Sequence, residues 1–196
     1  VIVNDDVAVM NSTYTTGRRG IAGTVFVHKV AGAKAELGAT LPEVLAVAQK
    51  AVANTRSKGC ALAPCIVPAV GKPTFELGET EMEIGLGIHG EPGVKRVPMM
   101  EAGQIAADLV GSCVADLGLK RGDKVALLVN GLGATPLMEL YILAECAGEQ
   151  LLSSGIEASR VYVREFMTSL EMAGASISIM RLDDELTGLL DKPCDT

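Results

Sequence analysis

Histidine is scarce in this chain, at two residues, and one of them stands where chemistry is expected. His89 ends the apolar run Met82 to Ile88 and opens a Gly90-Glu91-Pro92-Gly93 turn. Loops at strand ends commonly hold functional groups, and flanking glycines let a substrate approach the ring closely. Glu83 and Glu91 are near enough in sequence to orient the imidazole through its Nδ1–H. A histidine that only satisfies a turn would show the same local pattern. The second, His28, falls in an expected helix beside Lys29 and reads as a surface residue.

Other motifs carry less. Gly85-Leu86-Gly87-Ile88-His89-Gly90 spells a dinucleotide fingerprint. That motif needs a helix opening at the loop, so that its N-terminal amides hold a pyrophosphate. Here Glu91-Pro92-Gly93 puts a carboxylate and a turn in that place, and the next helix signal comes near residue 99. Gly131-Leu132-Gly133 lies between a strand and a helix but lacks the third glycine; it reads as a tight connection, with anion binding as the alternative. Gly71-Lys72-Pro73-Thr74 is no phosphate loop, because the upstream glycine is missing. The five cysteines, Cys60, Cys65, Cys113, Cys146 and Cys194, form no CxxC pair and no disulfide framework. They read as small hydrophobes in a reducing compartment. No metal site is expected.

The elements that position His89 are legible in outline. The chain has 196 residues, 48% of them apolar but only 3% aromatic, with 22 glycines. Its core must therefore be aliphatic, in a glycine-punctuated α/β protein. A net charge of −7 argues against nonspecific nucleic-acid binding. No apolar stretch is long enough to span a membrane, and Val1 to Asp6 lacks the basic and apolar regions of a signal peptide.

Periodicity predicts a helix over 21–37. A second helix over 41–56 opens at the capping box Thr40-Leu41-Pro42-Glu43, with Leu41, Val44, Leu45, Ala48 and Val52 on its buried face. Strands are expected at 61–67, 74–77 and 81–88. A helix through Ile105, Leu109, Cys113 and Leu117 stops at Gly118. The apolar run 124–129 reads as a buried strand. Thr135 and Pro136 should cap and start a helix to about Ser153, followed by strands at 160–166 and 176–182. The expected fold is the helical end of a first α/β domain, residues 1–58, followed by a second α/β domain, 59–196, with a mixed sheet and flanking helices.

Five segments, in order, resemble one family. Met82 to Gly93 is similar to the substrate-histidine segment of the dihydroxyacetone (glycerone) kinases, in their substrate-binding subunit or domain. Tyr14-Thr15-Thr16-Gly17-Arg18-Arg19-Gly20-Ile21-Ala22-Gly23-Thr24 is similar to that family's glycine-arginine loop, and Pro64 to Pro73 to the loop before the histidine strand. Val129 to Tyr141, with Asn130-Gly131-Leu132-Gly133-Ala134-Thr135-Pro136-Leu137, and Thr168 to Gly174 complete the match, with Asp183-Asp184-Glu185 after them.

The resemblance implies that His89 attacks the C2 carbonyl of dihydroxyacetone and holds it as a hemiaminal, with Glu83, Gly90 and Glu91 in support. A neutral imidazole is required, since the protonated ring has no free lone pair. A terminal hydroxyl is then phosphorylated. No cofactor is expected on this chain: ATP or ADP with magnesium sits on a separate nucleotide-binding subunit or domain. One branch of the family uses ATP directly; the other recharges bound ADP from the phosphoenolpyruvate phosphotransferase system. The resemblance further implies a cytoplasmic homodimer in glycerol and triose metabolism. The family's Gly-Ser-Gly-His and Asn-Tyr-Thr-Gly-Asp stretches, which supply a second histidine and a catalytic aspartate, do not occur here. The chain is therefore expected to be a C-terminal portion, inactive as a kinase alone, whose first two helices expose apolar faces and favour association. Alternatives are a non-catalytic dihydroxyacetone-binding regulator or coactivator of the same family, a kinase for another short ketose, or a plain interaction domain.

Overall fold

A computed structural model describes residues 1–10, 17–88 and 93–194. Its frame is a six-stranded mixed sheet. In chain order the elements are α1 (Thr24–Glu36), α2 (Leu41–Ala53), β1 (Thr55–Ala61), β2 (Glu81–Ile84), β3 (Lys95–Pro98), α3 (Ala102–Leu117), β4 (Lys124–Gly131), α4 (Leu137–Ser153), β5 (Glu157–Arg164), β6 (Gly174–Arg181) and α5 (Asp184–Leu190). The strand order is β3-β2-β1-β6-β4-β5. Only β4 and β5 pair in parallel, across the α4 crossover; the other neighbours are antiparallel.

The alternation of β4 explains the layers. Val125, Leu127 and Val129 face α3 and α4 together with Ile177 and Ile179 of β6. Ala126 and Leu128 face the other way with Met180, onto Phe26, Val27 and Val30 of α1, Val47 and Ala51 of α2, and Leu186 and Leu189 of α5. Both sides of the strand are thus covered, which is why 124–129 reads as an unbroken apolar run. Truncating Leu127 or Ile177 to Ala would cost about 2–5 kcal/mol.

The α/β class, the mixed sheet and the flanking helices are as expected. The divide placed at residues 58 and 59 falls inside β1, and helices from both sides of it pack on one sheet. Helix α2 opens at the expected capping box, with the Glu43 carboxylate accepting from the Thr40 N–H at 2.7 Å. Its buried face is Val47, Ala48 and Ala51, however, while Leu41 and Leu45 are exposed. Val47, Ala48 and Ala51 pack instead into the cluster shared with α1 and α5. The helix ends at Ala53 rather than 56, and the next strand is 55–61, not 61–67. Residues 74–77 form no strand; only a single bridge joins Ile66 to Pro73. Strand β2 stops at Ile84, four residues short of expectation, and β3 and α5 were not anticipated. Gly118 ends α3 in the left-handed conformation, at φ 60°.

Candidate functional site

The β2–β3 hairpin presents the segment that the sequence singled out. His89, Gly90 and Glu91 lie outside the described residues, but the chain on both sides of them is defined. On the leading side, Gly85 adopts φ 76°. Its N–H donates to the Gly59 carbonyl at 2.7 Å. A Cβ there would lie 2.6 Å from the Ala8 Cβ and 2.7 Å from Val94 Cγ2, so both the left-handed backbone and the crowding require glycine. On the returning side, Gly93 N–H donates to Glu83 Oε2 at 2.5 Å and Val94 N–H to the Ile84 carbonyl at 3.0 Å.

Glu83 is buried, at 4% exposure. Besides Gly93 it meets Arg96, whose Nη2 donates to Oε1 at 3.2 Å. Among the described residues its carboxylate is thus engaged in holding the hairpin's return.

A buried ionic cluster underlies the same hairpin. Arg19 donates from Nε (2.9 Å) and Nη2 (2.7 Å) to Asp6 Oδ2, and Nη2 reaches the Gly85 carbonyl at 2.9 Å. Asp6 Oδ1 accepts the Ala8 N–H at 2.9 Å. Beside it, Asp5 accepts the N–H groups of Ile21 and Gly23, both at 2.8 Å. Burial pushes both carboxyls above the usual aspartate range, against the pull of these donors. The Gly17-Arg18-Arg19-Gly20 stretch therefore splits its work. Arg19 turns inward, and Arg18 turns to α3, where both its Nη atoms bond Asp116, at 2.8 and 2.6 Å.

The second signature segment sits at the same end of the sheet. Because β1 and β4 both run antiparallel to β6, their C-terminal ends coincide. Past them a third apolar cluster joins Ala61, Cys65, Leu132 and Met172 to Leu86, with Ile88 packed against it. Ligand sites of open α/β sheets favour this position outside the strand ends. The connection from β4 to α4 is tight, as expected, but its cap is different. Pro136 is the N-cap, while Thr135 Oγ1 donates to the Gly174 carbonyl at 2.7 Å and accepts its N–H at 2.9 Å. A cavity of about 200 Å³, lined by Cys60, Ile105, Thr135, Glu139, Leu140 and Gly174, opens alongside.

His28 lies exposed on α1, as expected. All five cysteines are free; Cys60, Cys65 and Cys113 are buried, and Cys194 is exposed. Burial pushes the Cys60 thiol up to about 11, which suits packing and not nucleophilic attack. The fingerprint-like glycines lead into β3, and the next helix, α3, opens only at Ala102. Sequence reasoning missed the roles of Asp6 and Arg19. Their only signal is the pair of acids within the largely apolar run Val1 to Val9 and the pair of arginines between Gly17 and Gly20.

A family model described as Dak1 domain matches residues 1–196. The chain is 50% identical over 197 residues to the PTS-dependent dihydroxyacetone kinase 1, dihydroxyacetone-binding subunit DhaK, of Listeria innocua, covering 100% of this chain and 60% of that protein. Among solved structures it is similar to the dihydroxyacetone kinase operon co-activator Dha-DhaQ, with TM-score 0.91, 33% identity, and coverage of 98% of this chain and 60% of that one. It is also similar to the native dihydroxyacetone kinase of C. freundii, with TM-score 0.83, 32% identity, and coverage of 98% and 34% respectively. The chain thus spans about three-fifths of the length of the first of these relatives.

Proposed function

The chain belongs to the Dak1 domain family, and on that footing we propose that it captures dihydroxyacetone as a covalent hemiaminal on His89 and holds it for phosphorylation of a terminal hydroxyl. The observation that carries this reading is the family match over all 196 residues. In the capture step a lone pair of the neutral imidazole forms a bond to C2. The carbonyl π pair moves to oxygen, which takes a proton while the other ring nitrogen gives one up, so nothing is lost overall. Ketones form this adduct and glycerol cannot, which gives selectivity by chemistry. Gly90 and Glu91 are assigned to supporting the ring, Glu91 by orienting it.

Phosphoryl transfer then depends on a donor held elsewhere. ATP or ADP with magnesium belongs to a nucleotide-binding subunit or domain, and this chain's part is to fix the accepting hydroxyl in line with it. We assign the chain to a cytoplasmic homodimer. The test is rapid intact-protein mass spectrometry with dihydroxyacetone. The unmodified chain should gain the mass of one substrate molecule, and His89→Ala should gain none. Absence of the gain in the unmodified chain, or its persistence in the variant, overturns the reading.

Likeness to a co-activator favours a second reading, a dihydroxyacetone-binding regulator. Both readings share the capture step. They part when a donor subunit and its phosphate source are added to a chain that captures substrate: phosphorylated product supports the kinase role, and its absence supports the regulator.

A further inference from the structure

We propose that Arg19 is a positioning residue, fixing through the Gly85 carbonyl the turn from which the chain runs to His89. The proposal rests on the reading of His89 as the substrate site. Three observations carry it. Arg19 and Asp6 are both deeply buried, with side chains 8% and 0% exposed. A buried ion pair is a poor device for stability, since apolar residues of similar volume often do as well or better; what it supplies is fixed geometry. Second, Arg19 Nη2 bonds both the Asp6 carboxylate, at 2.7 Å, and the Gly85 carbonyl, at 2.9 Å. The planar guanidinium makes such a two-point contact, and an ammonium does not reproduce it.

Third, Gly85 has no freedom to move aside. It is packed between Ala8 and Val94, and Ala8 is itself tied to Asp6 through its N–H at 2.9 Å. The N-terminal segment, the Arg19 guanidinium and the Gly85 turn therefore form one unit. Leu86 and Ile88 then seat against Leu132 and Met172. The returning side is held independently by Glu83 on Gly93. Among the described residues the Arg19 side chain bonds Asp6 and the Gly85 carbonyl, so it acts through the backbone that leads to His89.

The two histidines supply the test, since His28, exposed on α1, is an internal control. In Arg19→Lys, the imidazole nitrogen resonances of His89 should shift while those of His28 stay. Amide exchange at Leu86 to Ile88 should speed by about tenfold, and dihydroxyacetone capture should weaken by about tenfold, the scale of one lost charge-assisted hydrogen bond. Exchange in β4 and β6 should not change. A second variant, Arg19→Met with Asp6→Leu, leaves no unpaired charge and guards against misfolding; it should fold and show the same local effects. Unchanged His89 resonances, exchange and capture in a folded variant overturn the proposal, as does exchange that rises equally in β4 and β6. If the unmodified chain captures no dihydroxyacetone, the proposed function fails, while the resonances and the exchange still decide the role of Arg19.

Discussion

Asn130 and Met167 exchange two hydrogen bonds: Asn130 Nδ2 donates to the Met167 carbonyl at 2.8 Å, and Asn130 Oδ1 accepts the Met167 N–H at 2.7 Å. The side-chain amide thereby pairs with a peptide as another peptide would. It also accepts the Phe166 N–H at 2.8 Å and donates to Ser176 Oγ at 3.2 Å, so its hydrogen-bonding capacity is filled. Asn130 is fully buried at the end of β4, and it pins the start of the connection from β5 to β6. Asn130→Leu, close in volume, should lower stability by about 3 kcal/mol, because it strands several buried backbone groups at once. Urea denaturation measures this, and a loss under about 1 kcal/mol would show that water takes over those partners.

Gly133 sets the other contact between these two connections. At φ 125°, its missing Cβ leaves room for the Leu170 carbonyl, which a side chain would overlap. Here the left-handed backbone and the close approach both demand glycine. Gly133→Ala should therefore cost more than about 2 kcal/mol and should also impair dihydroxyacetone capture, because Leu132 and Met172 floor the Leu86–Ile88 segment. Wild-type melting and capture in that variant would show that the two connections shift without consequence.

Leu170 is the only described non-glycine residue with positive φ, at 54°. Its side chain is half exposed, so burial within this chain does little to offset the strain. Strain of this kind clusters at functional sites, and this residue lies in the connection against Gly133. Leu170→Asn, which tolerates the left-handed region, should stabilise the chain by about 1 kcal/mol. Thermal unfolding checks the gain; a loss would mean that the leucine side chain contributes packing beyond its exposed half.

How much of this was readable in advance depends on the range of the interactions. Strand β4 was plain because both its faces are apolar and local order suffices to show it. Strand β1 was not: its inward positions are Thr55, Ser57 and Gly59, which carry no hydrophobic signal. The two hydroxyls are buried because partners outside the strand take them: Ser57 Oγ donates to Ser178 Oγ of β6 at 2.6 Å, and Thr55 Oγ1 to the Ala51 carbonyl of α2 at 2.7 Å. The same contrast holds at the site. The run into His89 and the Asn130–Leu137 segment stand out as local patterns. Thr135 reads locally as a helix cap, yet its hydroxyl is committed to Gly174, a partner 39 positions away. Glu83 lies near His89 in sequence, but its described bonds are to Gly93 and Arg96. Arg19 meets Gly85 across 66 positions, and nothing in the neighbourhood of either residue announces it.

The Asp116 cluster makes acid stability a readable quantity. Hydrogen bonds from Arg18, together with those from Arg56, hold the Asp116 carboxyl down at about 2, against an ordinary value of 3.8. A carboxyl depressed in the folded state contributes stability that is present above the unfolded value and lost as pH falls through the folded one. The stability difference between the unmodified chain and Asp116→Asn should thus be constant above about pH 5, shrink below about pH 4 and be mostly lost by about pH 2. Asp5 and Asp6 work in the opposite sense. Burial raises their carboxyls, so their protonation on acidification favours the folded chain. The unmodified protein's curve contains both contributions, and only the difference curve isolates Asp116. Melting both proteins across pH 2–6 decides the matter: a difference that stays flat to pH 2 would mean that Arg18 and Arg56 hold Asp116 no more firmly than solvent does.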